Sequence, residues 1–400
     1  MTFSASEYRD TENSATSMHS SKIYLNKQAL ERNISFLKKI IKKGVNISSV
    51  IKGNAYGHGI KHFVPMAMEA GINHFSVFSA EEAQQALNAA ISPVTVMIMG
   101  QLEHDDLKWA MENRVEFFVF DFHRLEHTIK VAQECNLKAR IHIEVETGMN
   151  RTGFSMQDLP EVLHLLKTNG EALEMKGLCT HFAGAESIVN EERVLKQQQV
   201  FKKALELCEE MGCMPDYVHA ACSAATVRYP DMQFNMVRIG IMQYGFWPTK
   251  EVYVEYLRER SQPEYNPLQR VISWKTYVMS IKKVKEGEYI GYGDSFLAQR
   301  DMKLAIIPIG YGYGYSRSLS NQGKMLIGGK FVPVIGTVNM NCATVDITEV
   351  ENVQIGDEVV LIGQQGEQEL TIASFAELSE QVNYEMLTRL PRNIPRIIQE

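Results

Sequence analysis

Short apolar runs along the chain are separated by longer stretches whose apolar residues recur three and four apart, so strands and amphipathic helices are predicted to alternate. A short strand is expected at Ile23–Leu25, followed by a helix in LERNISFLKKII. Eight further strand candidates then appear: SVIK ending at Lys52, FSVFS at 75–79, VTVMIMG at 94–100, VEFFVFD at 115–121, RIHIEVE at 140–146, MKGLCTHF at 175–182, YVHAACS at 217–223 and MVRIGIMQYG at 236–245. Helical patterns fill most of the gaps, the longest from about Glu191 to Glu210. Eight strands with helical spacers match the count of a closed (β/α)8 barrel. The runner-up, an open doubly wound sheet, usually shows GxGxxG after its first strand, and that motif is absent here.

The pattern changes after Gly245. PTKEVYVEYLRERSQPEYNPLQR is polar, carries three prolines and reads as a linker. From Val271 onward β-type segments (WKTYVMSI, KLAIIPIG, KFVPVIGTV, ATVDITEV, DEVVLIG) are separated by glycine turns, with helical character mainly around Ile372–Ser379. The expected fold class is α/β. A disordered tail at 1–20 precedes a (β/α)8 TIM-type barrel over 21–250, a linker at 251–270 and a mainly β C-terminal domain over 271–400.

Composition narrows the function classes. The 400 residues are 45% hydrophobic, enough for a large core. The formal charge is -7 with no basic run, which argues against a nucleic-acid partner. Six cysteines, at 135, 179, 208, 213, 222 and 342, form no CxxC pair and suggest buried thiols in a reducing, cytoplasmic setting. The first twenty residues lack the apolar region of a secretory signal. No window approaches a membrane span, and no metal site is expected.

The stretch SVIKGNAYGHG carries the first chemical signal. Lys52 falls where its strand would leave the sheet, and in a β/α barrel such ends face the active site. Apolar walls there would lower its pKa and make it a candidate Schiff-base amine. A lysine that merely reaches solvent at a strand end is the even alternative from these residues alone. Asn54, Tyr56 and His58 crowd the same turn, and Gly57 and Gly59 would let the backbone approach a ligand. Other strand ends supply Arg151, His181, Ser223 and Arg238. His181 also reads as a core histidine, and Arg151 as a surface ion pair. Arg238, within NMVRIGI, is harder to dismiss, because charged residues are rarely buried unpaired. Closure of the barrel would set it beside Lys52. Ser223 with the N–H groups of Gly240 and Ile241 could hold a phosphate.

VIKGNAYGHG, ETGMNRTGF, THFAG, NMVRIGI, GYGDSF, IPIGYGYG and VNYE occur in one order. Together they resemble the bacterial alanine racemase family, fold-type III enzymes that use pyridoxal 5'-phosphate. The resemblance runs from about Lys22 to Ile398. It implies a homodimer with shared active sites, acting on a small amino acid. Lys52 would hold the cofactor and serve as one base, and Tyr292, from the other subunit, as the opposite base. His181 would contact that tyrosine and Arg238. Arg238 would face the pyridine nitrogen and keep it unprotonated, restraining decarboxylation and transamination. Tyr56, Ser223, Gly240, Ile241 and Tyr384 match phosphate-binding positions. Arg151 matches an arginine near the cofactor phenolic oxygen and the substrate carboxylate, and Met340 a partner-subunit residue whose N–H meets that carboxylate. Tyr311 and Tyr384 match tyrosines that narrow the entrance.

Four departures concern the pocket lining. Asn339 and Asn341 flank Met340 where cysteine and aspartate are frequent, Thr337 replaces an arginine, Tyr313 an aspartate, and Glu144 a lysine that is often carbamylated. Glu144 is expected to pair bidentately with Arg151. Three rivals remain open: a racemase for serine or several small amino acids, a fold-type III decarboxylase, and a barrel-only protein that binds the cofactor without catalysis. The decarboxylase would carry a cysteine where Tyr292 stands. The second domain counts against the barrel-only protein.

Overall fold

The computed structural model of the protein describes residues 19–258, 266–371 and 383–400. The expected tail, apart from its last two residues, and the helical pattern at 372–379 lie outside the described residues. The chain divides into two compact units: residues 27–56 with 60–271, and the stretch up to Asn26 with 57–59 and 272–400.

Strand β1 (Lys22–Asn26) does not join the barrel with which the sequence grouped it. It pairs antiparallel with β10 (Ile272–Tyr277) and parallel with β18 (Arg396–Gln399) in the second unit. The physical reason is its alternation: Ile23 and Leu25 are buried whereas Lys22 and Tyr24 are only partly so. That is the pattern of a strand with one covered face, not of a barrel strand covered on both.

The barrel unit takes its eight strands from the eight apolar runs: β2 (Asn46–Val50), β3 (His74–Val77), β4 (Thr95–Ile98), β5 (Glu116–Val119), β6 (Ala139–Glu144), β7 (Leu173–Cys179), β8 (Tyr217–His219) and β9 (Met236–Ile239). All pair in parallel, in the order β8-β7-β6-β5-β4-β3-β2-β9. A parallel bridge between Cys222 and Arg238 draws the two ends of that path together, so the sheet is nearly closed. Helices between the strands bury one stripe each. On the helix Lys27–Ile40 that stripe is Ala29, Leu30, Asn33, Ile34, Phe36 and Leu37. Among the described helices none is long and apolar enough to cross a membrane.

The expected linker at 251–270 is partly a structured element of this unit. Lys250–Arg258 is a helix with Val252 and Tyr256 buried, and the Tyr256 ring lies 5.3 Å from Phe36 edge-on. Apolar residues four apart hide among the charges of KEVYVEYLR, which made the segment read as polar. Further on, Asn33 clasps the backbone of Gln269 in both directions, at 2.7 and 2.8 Å.

The second unit is a mainly antiparallel ten-stranded sheet. Its remaining strands are β11 (Ser280–Val284), β12 (Met302–Ile307), β13 (Lys324–Ile327), β14 (Lys330–Ile335), β15 (Ala343–Asp346), β16 (Glu358–Gln365) and β17 (Gln368–Leu370). The order is β11-β12-β15-β14-β13-β16-β10-β1-β18, with β17 added on β16. Trp274 and Tyr315 are its largest fully buried side chains.

Candidate active site

Lys52 stands two residues beyond the end of β2, as the sequence places it. The backbone then turns through the left-handed region at Gly53, Asn54, Ala55 and Tyr56, with φ of 65°, 55°, 53° and 49°. Each non-glycine residue there costs about 1–2 kcal/mol, so the turn survives only because its surroundings fix it. Asn54 Oδ1 accepts from the Ile60 N–H at 3.1 Å, and buried Glu82 accepts from the N–H of Asn54 at 3.1 Å and of Phe78 at 3.0 Å. Gln243 and Tyr244 donate to the Val50 carbonyl at 3.0 and 2.9 Å. Lys52 itself opens to solvent in the single chain. Its pKa is nevertheless lowered, by burial of the amine first, then by the positive charges of Arg151 and Arg238, with Glu82 opposing.

Gly57 has a different task from the one its sequence suggested. A Cβ there would lie 2.0 Å from the Leu387 carbonyl oxygen, and the Gly57 carbonyl accepts from Arg396 at 2.9 Å. The glycine makes room for backbone, not for a ligand.

Ser48 pairs with Arg238 and Ser49 with Ile239, so barrel closure does bring Arg238 to the Lys52 strand. Arg238 is buried, and its guanidinium is held by acceptors: the Thr180 carbonyl at 2.7 Å, the His219 carbonyl at 3.1 Å, and His219 Nδ1. His181 Nδ1 lies 3.5 Å from the same group. The His181 ring is pushed down to about 3 by burial, then by Arg238, Arg151 and Lys52, so it stays neutral at physiological pH. Gln197, on the long helix Glu191–Glu210, fixes the loop beyond it by donating to the His181 carbonyl at 3.0 Å and accepting from the Ala183 N–H at 2.8 Å.

Next to this cluster Ser223 Oγ accepts from the Gly240 N–H at 3.0 Å, and Ile241 follows in a turn of 3-10 helix. A Cβ at Gly240 would lie 2.8 Å from the Tyr56 hydroxyl. A hydroxyl, a phenol and bare backbone thus converge at a cradle that a side chain would fill, which suits a phosphate. The residues present therefore fit a phosphorylated aldehyde cofactor held by Lys52.

Arg151 extends into solvent, and its Nη2 comes only to 4.0 Å from Glu144 Oε1. The expected bidentate pair is not formed. The loop backbone is instead gathered by Glu146, which accepts from the N–H groups of Gly148 and Arg151. Burial raises the Glu144 carboxyl above its ordinary pKa, with Thr152 and Arg151 drawing it partly back.

Tyr292, Met340 and Tyr311 belong to the β unit and are 74%, 55% and 43% exposed. They lie on loops joined through backbone contacts. Thr337 Oγ1 donates to the Tyr292 carbonyl at 3.1 Å, the Tyr311 N–H to the Asn339 carbonyl at 3.0 Å, and the Gly312 N–H to the Met340 carbonyl at 2.9 Å. The glycines of GYGYG serve this approach, since a Cβ at Gly310 would lie 2.1 Å from the Asn339 carbonyl oxygen. Tyr384 sits on the helix Asn383–Thr388 of the same unit.

Two further groups, unremarked in the sequence, shape the electrostatics. His142 and His219 are fully buried and held below their ordinary value of 6.5, by burial foremost. An unfolded chain protonates these rings near pH 6.5 while the folded chain does not, so it binds more protons and stability falls as pH drops below that value. Each histidine adds a slope of at most about 1.4 kcal/mol per pH unit. Urea melts at pH 7 and pH 5 are expected to show a lower midpoint at pH 5; equal midpoints would contradict neutral buried rings.

Family models match both parts of the chain: "Alanine racemase, N-terminal domain" over residues 25–248 and "Alanine racemase, C-terminal domain" over 271–398. The alanine racemase of Leptospira interrogans is 34% identical over 381 residues, covering 95% of this chain and 96% of that protein. That of Methanococcus maripaludis is 31% identical, covering 92% and 96%. Among solved structures, the alanine racemase from Bacillus anthracis with bound L-Ala-P superposes with a TM-score of 0.86 at 31% identity, covering 96% and 95%. The alanine racemase from Bartonella henselae with covalently bound pyridoxal phosphate gives 0.82 at 26% identity, covering 95% and 100%.

Proposed function

The chain belongs to the alanine racemase family, and from that premise we propose that Lys52 and the partner subunit's Tyr292 are the two bases between which alanine is inverted. Its activity is pyridoxal 5'-phosphate-dependent racemisation of alanine. When bound, the cofactor supplies an electron sink for the charge left at Cα. The protein does the rest. Lys52 anchors the cofactor and, with a lowered pKa, takes or returns the Cα proton on one face. The Tyr292 phenol serves the opposite face. Two bases on opposite faces are what inversion requires, because a single base would return the proton to the side it left.

Arg238 orients on the pyridine nitrogen as a donor that does not surrender its proton. Tyr56, Ser223, Gly240, Ile241 and Tyr384 bind the phosphate. Arg151 and the partner's Met340 N–H receive the substrate carboxylate, and Tyr311 and Tyr384 narrow the approach. A homodimer supplies the second half of each site, which the exposure of Tyr292, Met340 and Tyr311 supports. All six cysteines are free thiols, in keeping with a cytoplasmic setting.

The observation that carries this reading is Lys52 just past the end of the strand that pairs with the Arg238 strand, close enough to Arg238 to feel its charge, with the Tyr56–Ser223–Gly240 cradle beside that strand. Borohydride reduction of the cofactor-loaded protein is expected to fix the label on the one peptide containing Lys52. Label on any other lysine would overturn the assignment.

A further inference from the structure

The barrel encloses a file of buried polar side chains that begins at Arg238. The Arg238 guanidinium meets His219 Nδ1. His219 Nε2 lies 2.8 Å from His142 Nδ1, and His142 Nε2 lies 2.9 Å from Glu116 Oε2. The other carboxylate oxygen of Glu116 accepts from Arg140 Nη2 at 2.7 Å. His74 Nε2 stands 3.7 Å from Glu116 Oε2, and its Nδ1 2.8 Å from Ser48 Oγ. Glu116, His142 and His219 are each 0% exposed.

Donor chemistry gives the file one direction. A guanidinium only donates, so His219 Nδ1 must be bare and its proton must sit on Nε2. That proton faces His142 Nδ1, which must also be bare, leaving the His142 proton on Nε2 toward Glu116. A carboxylate only accepts, so the file ends there. Burial alone would raise the Glu116 carboxyl, but His142, then His74 and Arg140, hold it well below its ordinary value. The fold makes room for this path. β7 shifts register against β6 between Ile141 and His142, which brings Gly177 opposite His142, and a Cβ on Gly177 would lie 1.9 Å from His142 Nδ1.

We propose that Glu116, acting through His142 and His219, is a positioning residue for Arg238: it fixes both histidine protons on Nε2 and so keeps a bare nitrogen toward the guanidinium. The functional part of this inference rests on Arg238 facing the cofactor ring. Without the carboxylate the file can reverse, and His219 would then present an N–H to an N–H.

The test begins with the native full-length protein labelled with 15N-histidine. Two-bond proton–nitrogen correlations at pH 7 are expected to show His142 and His219 neutral with the proton on Nε2. Either ring as an imidazolium, or with its proton on Nδ1, would overturn the proposal. Glu116→Gln is then expected to give mixed tautomers at both rings and a changed visible spectrum of bound cofactor. Its kcat should fall about tenfold, as for one lost hydrogen bond to a charged group, with KM for alanine within about twofold. A folded Glu116→Gln protein with native tautomers and native kcat would reduce Glu116 to a structural residue. The native-protein spectrum decides the proton positions even if this variant does not fold. It is also independent of borohydride labelling, so a failure at Lys52 and a failure of the file are told apart.

Discussion

Lys52→Ala and Tyr292→Phe homodimers are each expected to lose about 10³-fold or more in kcat/KM, because each removes one of two acid–base groups. Mixed under conditions of subunit exchange, they should recover roughly a quarter of native sites: half of randomly formed dimers are mixed, and each carries one intact site. The arithmetic depends on where the bases reside. If each site takes Lys52 from one chain and Tyr292 from the other, a mixed dimer has one site with both defects and one with neither. If both bases came from one chain, no mixed dimer would hold an intact site. Phenylalanine keeps the ring of Tyr292 and removes only the hydroxyl, on a side chain 74% exposed in the single chain, so the loss reports chemistry and not folding. Verified heterodimers without recovery would refute sharing between subunits.

What could be read in advance follows from where the information lies. Parallel barrel strands are covered on both faces, so β5 and β9, buried at every position, appear in sequence as apolar runs broken only by Glu116 and Arg238. Lys52 and Arg238 could be associated because closing the barrel makes their strands neighbours whatever the chain distance. Gly57 could not be interpreted locally, since its reason is the Leu387 carbonyl, far along the chain. Glu116 drew no notice inside VEFFVFD, although a carboxylate in an apolar strand is a signal that it must have partners. Those partners, His142, His74 and Arg140, lie on other strands, and no spacing along one segment reveals them.

The departures from the family's usual residues read differently in three dimensions. Thr337 is not a mere loss of arginine: its hydroxyl holds the Tyr292 carbonyl at 3.1 Å and meets Ser295 Oγ at 3.0 Å. The loop carrying the phenol is braced from within by two short hydroxyls. Glu144, 4.0 Å from Arg151, contributes a nearby acceptor but no clamp.

Arg238→Glu is expected to slow racemisation by about a hundredfold or more, the scale of losing one preorganised electrostatic contact at the reacting system, and to raise abortive transamination relative to it. The surroundings of Arg238 explain the direction. Its guanidinium donates to the Thr180 carbonyl at 2.7 Å and the His219 carbonyl at 3.1 Å, so a glutamate would confront acceptors with an acceptor. Burial among them would push the new carboxyl up, and it would hold a proton or share one with the pyridine nitrogen. Arginine withholds its proton from that nitrogen, whereas glutamate supplies one. When bound, a cofactor given that proton by the glutamate would supply a stronger electron sink, and residue 238 would no longer restrain transamination. Arg238→Lys separates charge from geometry: it keeps a cation but loses the planar fork, so it should lower the rate without the same change in partition. Native rates and an unchanged ratio of transamination to racemisation in Arg238→Glu would show that Arg238 does not govern the ring nitrogen.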